Sequence, residues 1–288
     1  MRRTVLFRLL SLCWLAAGPG IAYGDHRQAW VGSEVLPKFA RVQPRVGGRV
    51  TSSSVVCVRT VKQVKGDWLS VGDGWLRSDE VVPLEEAAAW FTAQIERRPT
   101  AFDYLSRAAA RCAQGDHEGA ETDCASALRI NPRLYSAYYQ RAAARAKQGH
   151  FEDAIRDYDA ALRLNPRLAG AYLDRGAARL KLGDYRGSLK DVNDSLRLAP
   201  REPDAFYVRG IARYHLQQYG TALSDLNFAL RMNPGRATAY DDRGACQEKL
   251  GHADKALADY EKAIDLDPSS ASASSHRDRL RIARAVTK

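Results

Sequence analysis

Five prolines, Pro132, Pro166, Pro200, Pro234 and Pro268, recur every 34 residues with no insertion or deletion between them. A fixed period of that length marks a chain built from stacked supersecondary units, none large enough to bury its own apolar face. With each proline at position 32, the repeats run 101–134, 135–168, 169–202, 203–236 and 237–270. Proline lacks the amide donor and its ring clashes with the preceding turn, so each one stops a helix. The other columns stay in register. Position 4 is aromatic throughout (Tyr104, Tyr138, Tyr172, Phe206, Tyr240), and positions 8, 20 and 27 are always Ala, Gly or Ser. Small residues let two helices approach closely while aromatics fill the space beside them. Gly115, Gly149, Gly183 and Gly251 at position 15 turn a first helix, A, into a second, B; the fourth repeat carries Gln217 there.

These columns resemble tetratricopeptide repeats, and the resemblance covers residues 101–270. It implies a mainly α fold, a right-handed superhelical solenoid of stacked helix pairs whose concave groove binds peptides or partner proteins. A solenoid needs closed ends. Residues 85–100, beginning EEAAAWFTAQIE, read as an amino-terminal capping helix, a half repeat. Residues 271–288 read as a carboxyl-terminal capping helix with a basic outer face.

Two charged columns run through the repeats. Position 7 is Arg in all five and position 11 is Arg in four, with Gln247 in the fifth; being four apart, they share one face of helix A. Position 23 on helix B is Asp in all five. The arginines could form an anion-binding stripe. Pairing with the aspartates is the favoured reading, since a half-buried guanidinium needs a carboxylate and the acidic column is as regular as the basic one.

The resemblance places the groove on helix A positions 2, 5, 6, 9, 12 and 13. The candidate partner-binding residues are Leu105, Tyr139, Leu173, Tyr207 and Asp241 at position 5, Gln140, Asp174, Val208 and Asp242 at position 6, and Tyr214 at position 12. Such a trough suits an extended or helical peptide with apolar anchors, with a basic group near Asp241, Asp242 and Glu248. The Lys, Asn and Arg of the two-carboxylate clamp found in some tetratricopeptide proteins are absent at positions 2, 5, 6 and 9. The alternative is that these side chains pack against neighbouring helices or the amino-terminal domain.

Residues 1–24 have a basic start at Arg2 and Arg3, an apolar run from Leu9 to Ala17 and a small-residue exit at Ala22-Tyr23-Gly24, which is a signal-peptide pattern. The expectation is an exported protein, periplasmic or secreted, with no transmembrane span in the mature chain. Residues 25–84 change to short valine-rich runs with glycine turns. Trp68, Gly72-Asp73-Gly74, Trp75 and Val81-Val82 resemble a small all-β SH3-like barrel of bacterial type, for which cell-wall material is the implied ligand. Trp68 and Trp75 are either core or ligand platforms. An adaptor anchored to the cell wall or a glycan by this domain is the alternative to a repeat-based scaffold.

Catalytic patterns are missing: no HExxH, GxSxG, GxxxxGK or GxGxxG occurs, and the six histidines are scattered. No enzyme activity, cofactor or metal is expected. Cys57, Cys112, Cys124 and Cys246 form no CxxC pair, and Cys112 with Cys124 could be either free thiols or a disulfide. The net charge of +10 resolves into a nearly neutral set of repeats with basic ends. An apolar groove argues against nucleic acid as the partner.

Overall fold

The computed structural model describes residues 33–37, 45–46, 49–50, 59–65, 68–71, 75–77 and 80–286. The expected signal peptide, the glycine pair at 47 and 48, the Gly72-Asp73-Gly74 turn and the side chains of Trp68 and Trp75 lie outside what is described. The chain divides into two compact parts, residues 1–90 and 91–288.

The first part carries β1 (Glu34–Pro37), β2 (Arg45–Val46), β3 (Arg49–Val50), β4 (Arg59–Thr60), β5 (Gln63–Lys65), β6 (Trp68–Ser70), β7 (Trp75–Arg77) and β8 (Val81–Pro83). They form two antiparallel sheets, ordered β4-β1-β8 and β3-β2-β7-β6-β5. In the second sheet Leu69 stands opposite Leu76, and in the first Leu36 stands opposite Val82. Val35, Val61, Leu69, Val71, Leu76 and Val81 make a buried cluster. The β content agrees with the valine pattern; closure into an SH3-like barrel is not shown among the described residues.

Twelve helices follow among the described residues. The first, α1 (Leu84–Arg97), precedes the repeats. The repeats are the pairs α2 (Ala101–Ala113) and α3 (His117–Ile130), α4 (Tyr135–Lys147) and α5 (Phe151–Leu164), α6 (Ala169–Lys181) and α7 (Tyr185–Leu198), α8 (Pro203–His215) and α9 (Tyr219–Met232), and α10 (Ala237–Lys249) and α11 (Ala253–Leu266). The last helix, α12 (Ala271–Val286), packs on α11. Each A helix packs on its own B helix, and each B helix on the next A helix.

The local chemistry explains this regularity. The glycines at position 15 hold φ between +78° and +86°, and Gln217 takes the same left-handed turn at +61° although its side chain is disfavoured there by about 1 kcal/mol. At the other end of the hairpin, the Asn131 and Asn165 side chains accept from the Arg133 and Arg167 amides at 3.1 Å, and the neighbouring proline prevents the helix from continuing. Between the helices the small columns are buried: Ala142, Ala154, Ala161, Ala222 and Ala256 are fully inaccessible. A methyl group on Gly244 would come within 2.6 Å of the Tyr260 ring, so the fifth repeat holds glycine at position 8.

Candidate partner-binding surface

The arginine and aspartate columns form one motif repeated five times. In the second repeat, Arg141 Nε and Nη2 donate to the two oxygens of Asp157 at 2.7 Å each, and Arg145 Nη1 adds a bond at 2.9 Å. Asp123, Asp191 and Asp225 are held in the same way by Arg107 and Arg111, Arg175 and Arg179, and Arg209 and Arg213. In the fifth repeat Arg243 brackets Asp259, and Gln247 Nε2 takes the place of the second arginine at 2.9 Å. Every position 7 guanidinium also lies over the position 4 ring, at 5.0 to 5.7 Å from its centroid. Three of them reach back to the preceding B helix: Arg175 to Asp159, Arg209 to Asn193 and Arg243 to Asn227. Asp191 is fully buried and the other four aspartates nearly so. The pairing expected from the two columns is therefore present, and it occupies the guanidinium faces that an anion stripe would need.

The helix A row is more varied. Leu105 is buried at 2% exposure; Tyr139, Gln140, Leu173, Asp174, Tyr207, Val208, Tyr214, Asp241 and Asp242 are all half-buried. Leu173 and Val208 pack on a cluster of Val192, Leu196 and Ala205, while Tyr207 and Tyr214 pack against Ala222, Leu226 and Cys246. The row is thus lodged on the core along one side and open along the other.

Two bonds within this row have no signal in the column alignment. Tyr139 Oη donates to Asp174 Oδ2 at 2.7 Å, and Tyr207 Oη donates to Asp242 Oδ2 at 2.8 Å. Both run from position 5 of one repeat to position 6 of the next, so they are visible only when columns are compared diagonally. Burial pushes the Tyr139 and Tyr207 phenols well above their ordinary range. It also raises the Asp242 carboxyl to about 6, against the opposing pull of the Tyr207 hydrogen bond, and raises Asp174 in the same direction.

The acidic end of the row is already occupied. Asp241 accepts from Ser272 Oγ at 2.7 Å and lies 2.8 Å from His276 Nδ1. Glu248 accepts from Tyr260 Oη at 2.8 Å and from Arg279 Nη2 at 2.9 Å. Ser272, His276 and Arg279 follow one another at four and three residues on α12, a single helical face turned toward α10. That spacing was present in the sequence; what the acids faced was not.

Cys112, Cys124 and Cys246 are free thiols. Burial pushes the Cys246 thiol up to about 12 and the Cys124 thiol higher, which makes both poor nucleophiles. Among the described residues no group of His, Cys, Asp and Glu is placed to hold a metal, and no helix is long and apolar enough to cross a membrane. A concavity of about 830 Å³ lies away from the helix A row, between α3 and α4, lined in part by Glu121, Arg141 and Gln148.

Comparison with known proteins agrees with this geometry. Three stretches match repeat families: residues 144–183 a TPR repeat, and residues 173–227 and 237–270 a tetratricopeptide repeat. Among solved structures, the chain resembles YrrB, described as a TPR protein with an unusual peptide-binding site, at 22% identity and a TM-score of 0.55 over 66% of this chain and 99% of that one. It resembles a tetratricopeptide repeat protein from Parabacteroides merdae at 21% identity and a TM-score of 0.58, over 70% of this chain and 80% of the other. It also resembles TTC0263, a thermophilic TPR protein of Thermus thermophilus, at 22% identity and a TM-score of 0.51, over 64% and 100% of the two chains. No curated protein matches the sequence. The helical part of the chain is a solenoid of tetratricopeptide repeats.

Proposed function

We propose that the protein is an exported interaction scaffold that binds a peptide or protein segment along the helix A row. The observation that carries this reading is the row itself: Leu173, Val208 and Tyr214 stand half-open beside Tyr139 and Tyr207, whose hydroxyls are fixed by Asp174 and Asp242. A surface whose rotamers are already locked loses little entropy when a ligand arrives. The peptide-binding site of YrrB is consistent with it. Because α12 holds Asp241 and Glu248, the ligand is anchored by apolar side chains more than by a basic group. Export rests on the pattern of residues 1–24, and an SH3-like domain that carries cell-wall material rests on the sequence resemblance of residues 25–84.

The test uses Leu180→Ser together with Tyr214→Ser, two half-buried position 12 residues whose side chains hold none of the buried carboxylates described above. The double variant, shown by its melting temperature to be folded, is expected to lose partners that the unaltered chain captures from an envelope extract. Retention of every partner would overturn the groove reading.

A further inference from the structure

Six arginines outside the ladder fall into two columns. In each hairpin the end of helix B and the start of the next helix A share one edge of the solenoid, and Arg129, Arg133, Arg163, Arg167, Arg197 and Arg201 all stand there, at positions 29 and 33 of the first three repeats. All six are exposed. Arg133, Arg163, Arg167 and Arg201 make no ion pair or side-chain hydrogen bond among the described residues. Arg197 pairs with half-buried Asp194 on its own helix at 3.1 Å, and Arg129 donates to Ser126 Oγ at 2.9 Å. Between the two arginines of each turn sits an exposed apolar residue at position 30: Ile130 at 50%, Leu164 at 38% and Leu198 at 36%. The opposite edge also exposes leucines, Leu182 at 42% and Leu250 at 37%, but its charge is mixed: Lys147, Lys181, Arg186 and Lys249 alternate with acids such as Asp116, Asp184 and Asp254.

Helix stability accounts for part of this pattern, since a cation in the last turn complements the helix dipole. Position 29 is explained by that, but position 33 lies beyond the helix, and the apolar residue between them gains nothing from it. The cations on this edge are all arginines, whose planar fork grips phosphate oxygens in pairs, whereas the mixed edge carries mostly lysines beside Arg186. Nucleic acid would use the arginines but offer nothing to a row of aliphatic side chains, and half-buried Tyr135 at the start of α4 is a single aromatic where a strand of stacked bases needs a series. A peptide is recognised in a trough or along a strand, and this edge is made of projecting turns of equal length. A bilayer rewards both components at once, its phosphates meeting the arginines and its acyl boundary the aliphatic side chains.

We infer that the helix B edge of the first three repeats docks on an anionic phospholipid surface, with the position 29 and 33 arginines on headgroup phosphates and the position 30 side chains at the acyl boundary. This face is separate from the helix A row and stands or falls independently of the proposed groove. The test is co-sedimentation of the full chain with vesicles of about 30% phosphatidylglycerol in phosphatidylcholine, against phosphatidylcholine alone. Binding is expected only with phosphatidylglycerol. Neutralising Arg163, Arg167, Arg197 and Arg201 to Gln is expected to weaken it at least about tenfold, at roughly one electrostatic contact each. Ile130→Ser with Leu164→Ser is expected to weaken it about threefold or more by removing aliphatic burial. Lys147→Gln with Lys181→Gln on the opposite edge is expected to leave it unchanged, and melting temperatures certify that each variant is folded. Failure of the unaltered chain to bind phosphatidylglycerol vesicles would overturn the inference. So would equal binding by the serine variant, or oligonucleotide binding as tight as vesicle binding, since either makes the edge a general polyanion stripe.

Discussion

Two sets of arginines recur with the same period in this protein and meet opposite fates. Those at positions 7 and 11 project from helix A toward helix B of the same hairpin, where an aspartate waits in every repeat; Arg175 and Arg179 both close on Asp191, which is fully buried. Those at positions 29 and 33 leave the end of helix B, where no acid column faces them in the first two repeats, and they remain in water. A residue type repeated in register is therefore neither structural nor functional by its regularity. What decides is whether a complementary column repeats at the place the helix geometry points to. Where it does, the charge is consumed by the fold, and where it does not, it is left available to a partner.

The largest expected effect breaks the first half of that contrast. In Asp157→Ala, Arg141 loses two hydrogen bonds and Arg145 one, leaving half-buried Arg141 without an acid and Arg145 with Glu121 alone. Stranding one side of a buried ion pair costs about 3–5 kcal/mol. The thermal unfolding midpoint is expected to fall markedly, while affinity for a helix A ligand changes little in whatever fraction stays folded. An unchanged midpoint would mean that the ladder is decoration.

A smaller effect sharpens the point that the partner, not burial alone, sets an acid's contribution. Asp242 is bonded by the Tyr207 phenol where the ladder acids are bonded by guanidinium, and burial raises it from 3.8 to about 6. Its folded value lies above its unfolded one, so the native state binds the extra proton. The associated stability is complete below about pH 4 and is lost as pH rises through about 6. Asp242→Asn keeps an acceptor for Tyr207 and removes the titration. The variant is expected to gain on the unaltered protein as pH rises from 4 to 7, on the order of 2 kcal/mol at the upper end. Unfolding midpoints measured across that range check it, and a difference that stays flat with pH would overturn it.

How much of this could be read from sequence follows from the same contrast. Columns set by conformation or by a fixed contact within one hairpin were legible: the position 15 turn, the small positions, and the pairing of position 7 with position 23, which is 16 residues away in every repeat. Even Gln217, the one departure at position 15, obeys the backbone its column requires. Contacts between different columns of adjacent repeats were not, because Tyr139 with Asp174 and Tyr207 with Asp242 join position 5 to position 6 across 35 residues and recur only in alternate repeats. The acidic end looked open because Asp241 and Glu248 could be read without the helix that covers them. The basic edge disappeared in the sum of charges over each repeat, where the acids of one edge cancel the arginines of the other. The first part was less legible, since strands of two to four residues carry too few alternations to fix their register.

The smallest expected effect completes the comparison from the other side. Arg163→Gln with Arg167→Gln removes two charges, where Asp157→Ala removes one and strands Arg141. Neither side chain has an ion-pair partner among the described residues, and the Arg167 contribution to its turn is made by the backbone amide to Asn165, which glutamine retains. Loss of one last-turn cation from the helix dipole is offset in part by relief of repulsion between neighbouring arginines. The unfolding midpoint is expected to move by no more than about 0.5 kcal/mol in equivalent stability, the ordinary range of a surface substitution. A loss comparable to that of Asp157→Ala would show that the edge arginines are tied into the fold after all, and would remove the distinction between a consumed column and an available one.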